Sequence, residues 1–198
     1  RHVMQLLAGN GLTFNTLERV EGFTHPVWAL LLAFFGLLGA PLSVIAVTLN
    51  LLFTALLLLL VLRAEAKAGP LAMALLVSCS GFVDFATSGL ETPLTLFLVF
   101  IAYLDVARGN VGARTGAGLS LAYLCHPDVA VLGAGPALLV LARLRSEGLS
   151  AGVRRAVLFF VSLGAAPLAW HAFRLAYYGV FWPNTYYAKN GGAYWSQG

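Results

Sequence analysis

The chain has 198 residues, of which 60% are hydrophobic and 10% charged, and its mean hydropathy is +0.84. Soluble domains are about half apolar and about a quarter charged, so this composition excludes a soluble globular protein and indicates an integral membrane protein. The formal net charge of +4 would also suit a nucleic-acid-binding protein. However, the basic residues stand in short loops between apolar runs, and we expect no nucleic-acid partner.

Long uncharged runs predict an all-α fold, a polytopic transmembrane helix bundle. The runs cover residues 42–62, 70–83, 93–104, 115–142 and 156–173. The fourth run is too long for a single crossing of about 20 residues, and His126, Pro127 and Asp128 interrupt it. We expect a turn there between two short helices, which gives about six spans within residues 42–173.

The regions outside the spans are predicted to be loops on the outer side of the membrane. Residues 1–41 form a first loop and residues 174–198 begin another, so we expect 1–198 to be one incomplete transmembrane domain, a segment cut at both ends. The apolar run from Pro26 to Leu38 has 13 residues, which is short for a crossing. We place it along the outer surface as an interfacial helix.

Charge gives the orientation of the spans. The segment 143–155 is rich in Arg and should face the cytoplasm under the positive-inside rule. Counting spans then puts 63–69 and 105–114 on the same side, and these three segments hold 8 of the 12 Lys and Arg residues. The opposite, outer face collects 5 of the 8 acidic residues and four cations: Glu18, Glu21, Asp84, Glu91, Asp128, Arg1, Arg19, Arg174 and Lys189.

The first polar segment of the outer face runs from Asn10 to Trp28. It is polar, then aromatic, then apolar. One interpretation is a surface loop whose Phe23 and Trp28 belong to the interfacial aromatic belt. The other is a binding segment that uses Glu18, Glu21 and His25.

The second polar segment, Asp84–Pro93, links two predicted spans. Thr92 and Pro93 suit the start of the next helix, and Glu91 would favour the positive end of that helix. Capping of this kind leaves Asp84 unexplained, so both acids stay candidates for binding.

The third segment is His126-Pro127-Asp128, where a proline break places an imidazole and a carboxylate at the same membrane face. Pro and Asp are common at a helix start, which is a purely structural explanation. Ionisable groups at a tight turn between spans are nevertheless functional candidates.

The fourth segment, Arg174–Lys189, follows the last predicted span. It contains four Tyr, one Trp and two cations. An aromatic belt would explain the rings, whereas Arg174 and Lys189 together with Pro-Asn-Thr would form a surface that grips a sugar and a phosphate. Nowhere does the sequence carry metal-ligand spacing, a Walker or dinucleotide glycine motif, or a Ser-His-Asp arrangement.

At these four segments the sequence resembles the GT-C superfamily of polytopic membrane glycosyltransferases, in particular the bacterial branch that includes the mycobacterial terminal arabinofuranosyltransferase. The matching motifs occur in the expected order: Asn-Gly-Leu-Thr-Phe-Asn with Glu-Arg-Val-Glu-Gly-Phe-Thr-His-Pro-Val-Trp, Ser-Gly-Leu-Glu-Thr-Pro, His-Pro-Asp, and Tyr-Tyr-Gly-Val-Phe-Trp-Pro-Asn-Thr-Tyr-Tyr-Ala-Lys. Such enzymes have surface helices in their first outer loop, which agrees with the placement of residues 26–38.

The resemblance implies an enzyme of the bacterial cytoplasmic (inner) membrane with an outward-facing active site. It would move a sugar from a polyprenyl-phosphate donor to a glycan or lipid acceptor of the cell envelope, among membrane lipids. The resemblance assigns no cofactor, and it leaves open whether the reaction needs a divalent cation. The main catalytic Asp of the family is expected upstream of Arg1. The resemblance also implies that relatives often carry Asn or Ser at the position of His25 and Arg at the position of His126.

The residues of this chain are therefore candidates for substrate binding: Glu18, Glu21, His25, Asp84, Glu91, His126, Asp128, Arg174, Tyr178, Asn184, Tyr187 and Lys189. A transporter or flippase of lipid-linked sugars is the alternative, although the sequence shows neither the paired repeats nor the broken helices typical of transporters. A non-catalytic membrane subunit is a third interpretation, and it predicts no acidic pair upstream of Arg1.

Overall fold

The computed structural model describes residues 1–16, 18–64, 67–144 and 149–190, and it confirms the all-α class. Within these ranges no strand forms, and Asn15 and Glu18 make an isolated bridge. The helices are α1 His2–Leu7, α2 Pro26–Gly36, α3 Leu42–Ala64, α4 Gly69–Ser78, α5 Ser80–Thr87, α6 Thr92–Ala107, α7 Ala113–Cys125, a 3-10 helix Pro127–Gly133, α8 Ala134–Arg143, α9 Leu149–Tyr178 and α10 Asn184–Asn190.

Two described helices, α3 and α9, are long and apolar enough to cross a membrane. They have 23 and 30 residues, which correspond to lengths of about 35 and about 45 Å. Helices α4 and α5 pass the same test only as a pair, and they are bent by 77° at their junction. The predicted crossing at 70–83 is thus broken at Cys79, whose backbone is extended.

The other three predicted crossings are shorter helices than a bilayer requires. Helix α6 has 16 residues, α7 has 13 and α8 has 10. The structure therefore supports a membrane bundle with two full-length spans, a third broken one, and short apolar helices packed among them.

The predicted break in the fourth apolar run is confirmed. Helix α7 ends at Cys125, and His126 has an extended backbone with φ −139° and ψ 107°, because Pro127 disfavours helical geometry at the preceding residue. The chain then continues through the 3-10 helix into α8, which packs against α9.

Helix α7 is the centre of the bundle and packs against α6 and α9. A methyl group on Gly116 would clash with the Phe159 carbonyl oxygen of α9, so the two helices are in close contact at this glycine. Helix α2, Pro26–Gly36, agrees with the predicted helix 26–38 to within two residues, and it packs against α1, α3 and α7. Its location on the outer membrane surface stays a prediction.

Contacts between loops define the two ends of the bundle. At one end of α6, Glu91 meets the imidazoles of His25 and His126. At the other end Asp105, which is fully buried, pairs with Arg114 and accepts a hydrogen bond from the Thr115 hydroxyl at 3.0 Å. The three predicted outer segments that carry His25, Glu91 and His126 are therefore in contact with one another.

Candidate functional site

A polar cavity of about 390 Å³ opens at the end of the bundle where the predicted outer segments meet. Its walls come from the loop before α2, the end of α7, the start of the 3-10 helix, the last turns of α9 and the beginning of α10. The lining residues are Thr24, Pro26, Tyr123, Leu124, His126, Pro127, Asp128, Pro167, Trp170, His171, Arg174, Trp182, Pro183, Thr185 and Tyr186.

A buried ion pair between Glu21 and Arg174 holds one wall of this cavity together. The Glu21 carboxylate has no exposed surface, and it accepts hydrogen bonds from Trp170 Nε1 at 3.0 Å and from Arg174 Nη2 at 3.2 Å and Nε. The Glu21 backbone carbonyl also accepts from the Asn184 amide at 3.0 Å. Glu21 therefore fixes the first loop to α9 and α10, and its carboxylate is not free to bind a substrate.

Arg174 also contacts His171, one helical turn earlier on α9. Its Nη1 lies 3.2 Å from His171 Nδ1. The His171 and Phe181 rings make a T-shaped contact, with 4.2 Å between the ring centres. On its other side, His171 Nε2 is buried and has no hydrogen-bond partner within the described residues, and the same holds for the Thr185 hydroxyl.

Glu91 forms a second polar cluster next to the cavity. Its Oε1 lies 3.2 Å from His126 Nε2 and its Oε2 lies 3.7 Å from His25 Nδ1. The carboxylate is 10% exposed, and Oε2 is buried without a hydrogen bond. Glu91 is the N-cap residue of α6, at the positive end of that helix as predicted, but its side chain makes no capping hydrogen bond. His25 and His126 therefore meet at this one carboxylate.

Two aromatic residues of the first predicted polar segment, Phe23 and Trp28, are buried. Trp28 is 2% exposed and Phe23 is 6% exposed, so their assignment to an interfacial aromatic belt is wrong. Trp28 Nε1 donates to the Gly89 carbonyl at 3.1 Å. Gly89 has φ +77°, a left-handed conformation that glycine adopts without strain. This bond ties α2 to the loop that carries Glu91.

Among the predicted site residues, His126, Asp128 and Arg174 line the cavity. Tyr178 is buried and donates from its hydroxyl to the Leu12 carbonyl at 2.6 Å, which gives it a structural role like that of Glu21.

The other predicted residues whose side chains the structure describes do not line the cavity. Glu18 and Asp84 are exposed elsewhere. Asn184 is exposed and bonds through its backbone, and the Tyr187 hydroxyl accepts from the Trp182 amide at 3.4 Å. The side chain of Lys189 lies outside the described residues.

The sequence did not single out Trp170 and His171, which both line the cavity, whereas Thr185 belongs to the Pro-Asn-Thr of the fourth predicted segment and lines it too. His171 precedes Arg174 by three positions, and that spacing places both on one face of a helix, which is the signal that could have identified it. Within the described ranges, no three His, Cys, Asp or Glu side chains gather into a group that could hold a metal ion.

The fold and the cavity define an all-α membrane protein with a polar, aromatic-lined site at one end of its bundle. Comparison with known proteins makes this more specific. The chain is 32% identical to the terminal β-(1→2)-arabinofuranosyltransferase of Mycobacterium tuberculosis over 225 aligned positions, and 33% identical to that of Corynebacterium glutamicum over 233. All of this chain is covered in both comparisons.

The arabinofuranosyltransferase-like relationship predicted from the four motifs is thereby confirmed. The chain spans about a third of the length of these curated relatives, 35% and 33%. No family model matches the sequence, and no solved structure matches the fold.

Proposed function

We propose that the protein is a membrane glycosyltransferase that moves a sugar from a polyprenyl-phosphate donor to a glycan or lipid acceptor of the cell envelope. The transfer takes place on the outer face of the bacterial cytoplasmic membrane. The two relatives support the class of reaction, since both carry the name of a sugar transferase. The donor and the acceptor are those that the resemblance of the four motifs implies, and the membrane face follows from that resemblance and from the positive-inside charge pattern.

The observation that carries this proposal is the composition of the cavity wall. Aromatic side chains such as Trp170, Trp182 and Tyr123 lie beside the carboxylate of Asp128 and the imidazole of His126. Sugar rings present apolar C–H faces that suit aromatic surfaces, and hydroxyl groups that suit carboxylates and imidazoles. A guanidinium in the same wall favours an anionic group such as the donor phosphate.

In the proposed reaction, a carboxylate base removes a proton from the acceptor hydroxyl while cationic groups stabilise the departing phosphate. The base belongs to the region upstream of Arg1 in the pattern that this sequence resembles. Within this chain, Glu91 and Asp128 shape the sugar site, whereas Arg174 and Lys189 provide positive charge for the phosphate.

The proposal is tested by measuring transfer of radiolabelled sugar from a panel of polyprenyl-phosphate donors by the full-length protein in membrane vesicles. We expect transfer from at least one donor, and a loss of about tenfold or more in a Glu91→Gln variant because the two histidines lose their charged partner. No transfer from any donor, with well-folded protein, would contradict the proposal.

Lys189→Ala gives a second test of the phosphate site. We expect a severe reduction of transfer, because the departing phosphate loses a cation, with unchanged amounts of protein in the membrane. Normal turnover by Lys189→Ala would exclude this role for Lys189.

A flippase of lipid-linked sugars is the second candidate, and the broken α4–α5 pair favours it, since transporters often use discontinuous helices. None of the residues of this break lines the polar cavity. Movement of lipid-linked sugar across protein-containing vesicles, without transfer to an acceptor, would support the flippase.

A further inference from the structure

Two polar atoms in the cavity wall lack any partner within the described residues. These atoms are Nε2 of His171, on α9, and Oγ1 of Thr185, on α10, and both are shielded from water. Both residues line the same cavity. A buried polar group without a hydrogen bond costs free energy, so such a pair in one wall points to a ligand that supplies the missing bonds.

The Glu21–Arg174 pair determines what His171 can offer such a ligand. An arginine N–H can only donate, and Arg174 Nη1 lies 3.2 Å from His171 Nδ1. His171 Nδ1 must then accept, so the ring proton resides on Nε2. Glu21 holds the guanidinium in place through Nε and Nη2. His171 therefore presents a fixed N–H donor, and the ring contact with Phe181 keeps its direction.

We infer that His171 Nε2–H and the Thr185 hydroxyl bind a phosphoryl oxygen of the lipid-linked sugar donor, with Glu21 and Arg174 as positioning residues. The inference rests on the proposed function and adds two binding residues to its site. Phosphoryl oxygens accept hydrogen bonds and cannot donate them when ionised, which matches an N–H donor and a hydroxyl beside a guanidinium. Asp128, by contrast, is an exposed acceptor in the cavity and suits the hydroxyl groups of the sugar.

The surroundings of the two atoms favour strong hydrogen bonds to such an anion. Bonds that are protected from water are not weakened by competing solvent. Phe181 and Trp182 lie against the His171 ring and help to shield it from water.

The test measures binding of sugar-free polyprenyl monophosphate to the full-length protein in nanodiscs of neutral phosphatidylcholine. A His171→Asn variant keeps an acceptor near the position of Nδ1 but removes the Nε2 donor, whereas His171→Gln keeps a donor near Nε2. We expect His171→Asn and Thr185→Val to weaken binding about tenfold or more, since each loses a hydrogen bond to a charged group. The affinity of His171→Gln for polyprenyl monophosphate should stay within about threefold of wild type. Binding of uncharged polyprenol should be the same in wild type and in all three variants.

Unchanged binding of polyprenyl monophosphate by His171→Asn and Thr185→Val would overturn the inference. An equal loss for polyprenol would also overturn it, because the residues would then serve the lipid and not the phosphate. Phosphatidic acid presents the same phosphoryl group, so displacement of the probe by equal amounts of phosphatidic acid would assign the site to a lipid headgroup and exclude the sugar donor.

These outcomes are separate from those of the proposed function. Transfer without His171-dependent phosphate binding would refute this inference alone. His171-dependent phosphate binding without transfer from any donor would refute the glycosyltransferase and leave the phosphate site standing.

The positioning role has its own readout in the ¹⁵N chemical shifts of the His171 ring, assigned by comparison with His171→Asn. Wild type should show a protonated Nε2 and an unprotonated Nδ1. In Arg174→Lys, which keeps the charge but removes the Nη1 donor, we expect a mixture of tautomers. An unchanged tautomer in that variant would exclude the positioning role.

Discussion

At the residue scale, Glu21 shows how a site prediction and a structural role can be confused. The sequence places Glu21 on an acidic outer face, which made it a candidate for substrate binding. In the structure its carboxylate accepts three hydrogen bonds from Trp170 and Arg174. Both partners lie about 150 positions further along the chain, and no local pattern can predict a contact over that separation.

A Glu21→Gln substitution should destabilise the protein by about 3 kcal/mol, because it leaves the Arg174 charge buried without its counter-ion. Thermal unfolding of the purified protein in detergent measures the loss. Glu18→Gln is the matched control: Glu18 is exposed, so we expect a change of no more than about 0.5 kcal/mol. Equal stabilities of the two variants would contradict the role given to the ion pair.

At the element scale, the sequence predicts helix ends where proline acts locally. Pro26 begins α2, Thr92 and Pro93 begin α6, and Pro127 ends the helix before it, all as the sequence indicated. The sequence does not predict the break between α4 and α5, because no proline marks it. Ser78, Cys79, Ser80 and Gly81 form a run of small residues there, which is a weaker signal for a kink.

The contact between α7 and α9 gives a prediction for two glycines of one helix. In Gly116→Ala the new methyl group would clash with Ser162 Oγ and with the Phe159 carbonyl oxygen, so we expect a loss of about 1–3 kcal/mol of stability from overpacking. In Gly118→Ala the nearest atom is the Leu98 carbonyl at 3.6 Å. That variant should be neutral or slightly stabilised, since Ala favours a helix over Gly. The reverse order of stabilities in thermal unfolding would refute this packing.

The docking of α1 should depend on pH. His2 contacts the Val20 carbonyl at 3.2 Å, and burial lowers the pKa of His2 below its usual value of 6.5. The unfolded chain therefore takes up a proton more readily, so stability should be constant above pH 6.5 and fall as the pH drops below it. Thermal unfolding at pH 7.5 and 5.5 measures this, and His2→Gln should reduce the difference. The same pH dependence of thermal stability in wild type and in His2→Gln would contradict this role of His2.

At the scale of the whole molecule, the charge pattern predicted which segments share an end of the bundle, and the contacts agree. His25, Glu91 and His126 come from three of these segments and meet within 4 Å. The sequence alone does not predict that these three side chains pair, because their contact depends on how α2, α6 and α7 pack against one another. The same holds for the cavity, since His171 and Thr185 become neighbours of Asp128 only through the fold.

The central claim is that this cavity, and not the acidic outer face as a whole, binds the substrates of a sugar transfer. The most direct measurement compares transfer from a polyprenyl-phosphate sugar donor by wild type, Asp128→Asn and Asp84→Asn in equal amounts. Both acids are exposed, but Asp128 lines the cavity and Asp84 does not. We predict a loss of about tenfold or more for Asp128→Asn and near-normal transfer for Asp84→Asn. Normal transfer by Asp128→Asn, or an equal loss in both variants, would contradict the account.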